Sequence, residues 1–141
     1  MIGHFNMMVK DVQLLPEAAA ALLKCFPSQK IFVFYGEMGA GKTTFVKQLC
    51  EVLGTTEALS SPTYALVNEY NAALQRIYHM DLYRLNDLEE ALQMGIEEYL
   101  DDKEAYCFIE WPQLIETLLP LNMVKVNIAV DEDGNRVISA V

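Results

Sequence analysis

With 141 residues, 52% of them hydrophobic, the chain has the size and apolar content of one domain, 1–141, around a single core. Its 20 acidic against 10 basic residues give a net charge of −10, which disfavours the broad phosphate-tracking surface of a duplex nucleic-acid binder. Cys25, Cys50 and Cys107 are widely spaced with no C-x-x-C pair, and no segment resembles a secretory leader or a membrane span, so reduced thiols in a cytoplasmic protein with no membrane contact are expected.

After a short run from His4 to Val9, the residues Leu15, Ala18, Ala19, Leu22, Leu23 and Phe26 recur at helical spacing, with Pro16 suited to the first turn and Pro27 to the end. The continuous apolar run Ile31-Phe32-Val33-Phe34-Tyr35 predicts a buried strand. It leads directly into Gly36-Glu37-Met38-Gly39-Ala40-Gly41-Lys42-Thr43, which fits the pattern glycine, four residues, Gly-Lys-Ser/Thr. A helix follows, marked by the stripe Phe45, Val46, Leu49, Cys50, Val52 and Leu53 and by Gly54 where a C-terminal cap belongs. A buried strand that turns through glycines into a helix leaves several backbone N–H groups converging on one spot, with the helix dipole adding partial positive charge. Such a loop is suited to phosphate, and Glu37, Met38, Gly39, Ala40, Gly41, Lys42, Thr43 and Thr44 are the candidate nucleotide-binding residues. Lys42 would reach the β and γ phosphates as a point charge, and the Thr43 hydroxyl would be one ligand of a bridging Mg²⁺.

Thr63 to Tyr70 and Leu74 to Leu82 are rich in β-formers and are joined through Asn71, which predicts two strands with a tight connection. Asn86-Asp87-Leu88-Glu89 resembles a capping box that opens a short helix closed by Gly95. Ala105 to Ile109 is a second candidate buried strand, ending at Glu110-Trp111, and Pro112 starts a brief helix that runs through Leu119 and stops at Pro120. Val124, Val126, Ile128 and Val130 then alternate with Lys125, Asn127 and Ala129 before the turn Asp133-Gly134, predicting a terminal hairpin with Arg136 to Val141. The expected fold class is α/β: a P-loop NTPase-like, mostly parallel central sheet flanked by helices, with antiparallel additions and a C-terminal hairpin.

Hydrolysis requires a carboxylate near the metal and a group that orients the attacking water. Glu110 ends a buried strand, which in an open α/β sheet puts it at the carboxyl edge beside the phosphates, and it is the first candidate to hold Mg²⁺ or its water shell. Asp81, within His79-Met80-Asp81-Leu82-Tyr83-Arg84-Leu85, reads on its own as a turn or cap residue. Ser60-Ser61-Pro62-Thr63-Tyr64 fits either a switch segment whose Thr63 hydroxyl reaches the metal or a plain loop entering a strand. His79 reads as a hydrogen-bonded structural histidine, and Trp111 as a core ring first and a nucleotide contact second. No Asn-Lys-x-Asp segment is present to read guanine, which favours ATP. Two alternatives stay open: a small P-loop kinase for a metabolite, which would need a basic lid from a chain with only Arg76, Arg84 and Arg136, and a nucleotide-dependent binding module without useful turnover.

The ordered motifs Gly36 to Thr44, Ser61-Pro62-Thr63-Tyr64, His79 to Leu85 and Ile109-Glu110-Trp111-Pro112 together resemble the bacterial TsaE (YjeE) family of small P-loop ATPases, over nearly the whole chain. The resemblance implies an ATP hydrolase that uses Mg²⁺ and supports the threonylcarbamoyl modification of the adenosine next to the anticodon in tRNA. It implies TsaB and TsaD as partners, with tRNA met only indirectly. Carried over by motif, Lys42, Asp81 and Glu110 become the catalytic set and Thr43 and Glu110 the metal ligands, with Thr63, Arg84 and Trp111 in support. Two departures stand out: Leu15-Pro16-Glu17 replaces the Thr-containing start common in the family, and Met38 replaces a leucine with little change of volume.

Overall fold

The computed structural model describes residues 4–55, 66–72 and 75–141. Its strands are β1 (Phe5–Val9), β2 (Ile31–Tyr35), β3 (Val67–Asn71), β4 (Arg76–Asp81), β5 (Ala105–Glu110), β6 (Val124–Val130) and β7 (Arg136–Ala140). The helices are α1 (Leu15–Cys25), α2 (Lys42–Val52), α3 (Leu88–Gln93) and α4 (Ile96–Leu100), with 3₁₀ turns at Val12–Leu14 and Pro112–Leu118. Thr63 and its neighbours Ser61, Pro62 and Tyr64 lie outside the described residues.

Among the described residues the seven strands join one sheet in the order β1-β7-β6-β2-β5-β4-β3. β2 pairs in parallel with both β5 and β6, and β5 with β4, while β1–β7, β6–β7 and β3–β4 are antiparallel. The sheet is therefore mixed rather than mostly parallel, which corrects the expectation from sequence. The reason is connection length: β3–β4 and β6–β7 are joined by turns too short for the crossover that a parallel pairing needs.

Side-chain alternation divides the core between two faces. Phe32, Phe34, Phe108, Val126 and Ile128 point to the side covered by α1 and α2, where they meet Leu15, Leu22, Phe45 and Leu49. Val33, Cys107, Ile109, Tyr78 and Met80 point the other way, onto Ala91, Ile96 and Ile115. In α1, Leu15, Ala18, Ala19 and Leu22 form the buried stripe that helical spacing requires, with Pro16 in the first turn. β2 is apolar throughout and β5 is apolar up to its last residue, Glu110, because helices cover both faces, so neither strand shows polar alternation. Burying four phenylalanines, Phe32, Phe34, Phe45 and Phe108, with edge-on ring contacts at 5.8–6.4 Å anchors α2 to the sheet centre.

The capping box sits one residue later than the sequence suggests. Asp87 is the N-cap and its carboxylate accepts from the Glu90 N–H at 3.0 Å, while Gly95 ends α3 and opens α4, a turn the sequence reading did not separate. Among the described residues no helix is long and apolar enough to cross a membrane.

Candidate functional site

The parallel strands β2, β5 and β4 end at the same edge of the sheet, and β7, running antiparallel to β6, begins there. A cleft of about 650 Å³ opens at that edge between Met38, Gly39, Gly41, Lys42, Thr43 and Thr44 on one side and Asp81, Tyr83, Arg84, Glu110 and Trp111 on the other, with Leu66 and Arg136 completing it. Candidate residues far apart in sequence thus meet in one place; Glu37 and Ala40 belong to the loop but do not line the cleft.

The loop between β2 and α2 depends on its glycines at two points. A Cβ on Gly36 would lie 2.6 Å from the Ile128 carbonyl oxygen of β6, so only glycine allows the chain to leave the sheet there. Gly41, the N-cap of α2, has φ +100° and no side-chain cap, and a Cβ there would meet Arg136 Nε at 2.7 Å. The first N–H groups of α2 have no partner within the helix and face an anion's approach with the dipole behind them.

Strand register decides what else reaches the cleft. Asp81 is opposite Glu110 across the β4–β5 pair, and His79 is opposite Phe108. His79, Asp81 and Glu110 share the sheet face of Phe108, the face on which α2 begins; a slip of one residue would turn all three away. Glu110 is almost fully buried, and each of its oxygens is engaged: Thr43 Oγ1 donates to Oε1 at 2.7 Å, and His79 Nε2 lies 2.6 Å from Oε2. His79 is completely buried, and its Nδ1 has no hydrogen-bond partner among the described residues.

Lys42 is buried as well; its ammonium donates to the Gly36 carbonyl and stands 3.5 Å from the centroid of the Trp111 ring. Burial lowers the Lys42 pKa, and the nearby Glu110 and Asp81 carboxylates partly offset that. Burial also raises the pKa of Asp81, with the Glu110 charge adding to the effect, while the Tyr83 N–H donating to Oδ1 at 3.1 Å opposes it. Trp111 is not the core ring that sequence reasoning favoured. It is partly exposed, has a left-handed backbone with φ 56°, and packs against Tyr83 at 5.0 Å between ring centres, which turns its face to Lys42.

Arg84 is exposed at the cleft rim. His79 has the hydrogen bond expected of a structural histidine, but the partner is Glu110, which ties it to the site. Sequence reasoning also passed over Arg136, whose Nε donates to the Ala40 carbonyl at 3.0 Å, and Tyr83. The parity of His79 with Asp81 along β4 was a signal for the first; nothing local marks Arg136, 96 residues from Ala40 in the chain.

The family model described as "Threonylcarbamoyl adenosine biosynthesis protein TsaE" matches residues 9–138. The chain is 41% identical to the tRNA threonylcarbamoyladenosine biosynthesis protein TsaE of Haemophilus influenzae, over 84% of this chain and 75% of that protein. It is 38% identical to the protein of the same name from Bacillus subtilis, over 77% of this chain and 67% of the relative. The crystal structure of Bacillus subtilis YdiB superposes with a TM-score of 0.77 at 30% identity, covering 99% of this chain and 86% of that one. A mixed α/β sheet with its loop and carboxylates at one edge, in a sequence matched from Val9 to Ile138, belongs to the TsaE family.

Proposed function

We propose that this chain is a Mg²⁺-dependent ATPase with a P-loop fold, a single cytoplasmic unit that supports the threonylcarbamoyl modification of the adenosine next to the anticodon in tRNA. Its partners on this reading are TsaB and TsaD, and it touches tRNA only through them. The observation that carries the reading is the 2.7 Å bond from the Thr43 hydroxyl, at the start of α2, to the Glu110 carboxylate at the end of β5. It joins the phosphate-suited loop to an acidic side chain inside one cleft, the pairing that nucleotide hydrolysis uses.

The donors at that point are hard oxygens, a hydroxyl and a carboxylate, which suit Mg²⁺. Among the described residues no three His, Cys, Asp or Glu side chains form a metal cage, as fits an ion held by one or two protein oxygens and by phosphate. Thr43 and Glu110 would hold the ion, which when bound neutralises charge on the phosphate oxygens.

The chain's own residues do the rest. The loop amides and Lys42 bind the phosphates, with the ammonium exchanging the Gly36 carbonyl and the Trp111 face for phosphate oxygens. Both oxygens of Glu110 are engaged, by Thr43 and by His79, so Glu110 is fixed in direction and His79 acts as its positioning residue. Asp81 stands opposite Glu110 with a more basic carboxylate than an exposed aspartate, which suits it to orient the attacking water. Tyr83 and Trp111 wall the cleft and limit entry of other water.

Phosphate release measured without any acceptor, alone and with purified TsaB and TsaD, tests the ATPase against both the kinase and the binding module. Titrating the partner pair in ATP-like, ADP and nucleotide-free conditions, with labelled tRNA in parallel, tests the rest. The expected result is nucleotide-dependent partner binding and no tRNA binding by the isolated chain, given its net charge of −10. Equal partner affinity in all three conditions, or tight binding of tRNA, contradicts it.

A further inference from the structure

Two arginines at the cleft, Arg84 and Arg136, have no part in the chemistry proposed for it, and of the two Arg136 is the one drawn into the surface. Arg136 is the first residue of β7, is partly buried, and donates from Nε to the Ala40 carbonyl. Among the described residues its guanidinium forms no ion pair, although the chain carries 20 acidic residues. Guanidinium groups drawn into a protein surface normally face a carboxylate or phosphate, because a fork of five N–H donors is costly to leave unmatched. With Nε used, the four N–H groups on the two terminal nitrogens have no hydrogen-bond partner among the described residues.

Their position is specific. Arg136 lines the 650 Å³ cleft together with Lys42 and Thr43, and it also lines an adjoining cavity of about 250 Å³ with Val12, Leu15 and Thr44. It therefore stands at the junction of the two, across Gly41, where any larger residue would collide with its Nε. That gives position 41 a second reason for glycine: the guanidinium needs the space directly over the helix N-terminus.

We propose that Arg136 is a second phosphate-binding residue, supplied by the terminal hairpin, which grips the nucleotide where its phosphate chain passes from the cleft toward the adjoining cavity. The inference rests on the nucleotide reading of the cleft. Through β7, paired with both β6 and β1, it ties nucleotide occupancy to the far edge of the sheet.

Trp111, the only tryptophan, provides a fluorescence readout beside the site. The test titrates the wild type, Arg136→Gln, Arg136→Lys and Lys42→Ala with Mg-ADP and with inorganic pyrophosphate over a range of salt concentrations. Arg136→Gln should weaken both ligands about 10- to 100-fold, as loss of charge-assisted bonds does, and should make the affinity less dependent on salt. Arg136→Lys should recover only part of the affinity, since an ammonium cannot reproduce the fork. A purely supporting role toward Ala40 would leave the salt dependence unchanged. If Arg136→Gln binds pyrophosphate like the wild type while Lys42→Ala does not, the inference is wrong and the nucleotide reading survives. If the wild type binds neither ligand, both fall together.

Discussion

Two neighbouring strands supply opposite kinds of chemistry to the same cleft. β2 runs into Gly36 and contributes backbone: amide groups, a carbonyl for Lys42, and a turn that depends on glycine at positions 36 and 41. β5 ends in Glu110, with Trp111 directly after it, and contributes side chains, whose use depends on what the next strand, β4, sets beside them. The first half is specified by local sequence, since the spacing of glycines, Lys42 and Thr43 fixes the loop. The second is specified by register, since Glu110 acquires His79 and Asp81 only when β4 and β5 pair as they do.

The two halves should fail differently. The largest effect is expected from Lys42→Ala, which removes an electrostatic donor present in both ground and transition states. It should cost on the order of 10²-fold or more in turnover and also weaken nucleotide binding. Glu110→Ala should lower turnover with a smaller effect on ADP affinity; steady-state kinetics beside direct binding separate the two, and normal hydrolysis by Glu110→Ala would pass its role to Asp81.

Next comes the backbone half alone. Gly41→Ala carries both a left-handed φ and the collision with Arg136, whereas Gly39→Ala has a similar φ of +83° and no described residue within 4 Å. Each should lose about 1–2 kcal/mol from the backbone conformation, with Gly41→Ala losing more. Equal losses in chemical denaturation would show that the guanidinium yields without cost.

For the side-chain half, His79→Leu leaves one oxygen of buried Glu110 without its partner, an expected loss of about 1–3 kcal/mol of stability, with turnover lowered more than nucleotide affinity. A double-mutant cycle with Glu110→Gln should give a coupling of about 0.5–3 kcal/mol. Additive effects would mean that the pair does not act as a unit.

The smallest effect lies away from the cleft. The Tyr78 hydroxyl donating to Asp102, together with the Glu104 N–H and Arg76, holds the Asp102 carboxyl below the usual aspartate range. A depressed folded-state value means that stability is present above the unfolded pKa and is lost as pH falls through the folded one. Melting curves of the wild type and Asp102→Asn should therefore differ at neutral pH, begin to converge below about pH 4, and close as pH falls through the lower folded-state value. A gap that persists in acid would rule out this linkage.

The comparison also explains what could be read from the sequence. Buried strands β2 and β5, the loop between β2 and α2, and the terminal hairpin were legible because apolar runs, glycine spacing and alternation are local signals. Glu110 was legible because it ends such a run. The mixed sheet, the site role of His79 and the exposure of Trp111 were not, because each follows from strand pairing or from a left-handed turn that no local pattern encodes. Arg136 is the extreme case, joined to the loop across the whole chain length between Ala40 and β7.

The claim beneath all of this is that the cleft binds a magnesium nucleotide, and thermal unfolding tests it most directly. At a ligand concentration of 100 times Kd, Mg-ATP should add about 2.7 kcal/mol of stability, a rise in Tm of roughly 8 °C at about 3 °C per kcal/mol for a domain of this size. The rise should disappear in Lys42→Ala. No shift in folded wild-type protein with millimolar Mg-ATP or Mg-ADP, or an equal shift in both proteins, would contradict the assignment of the cleft.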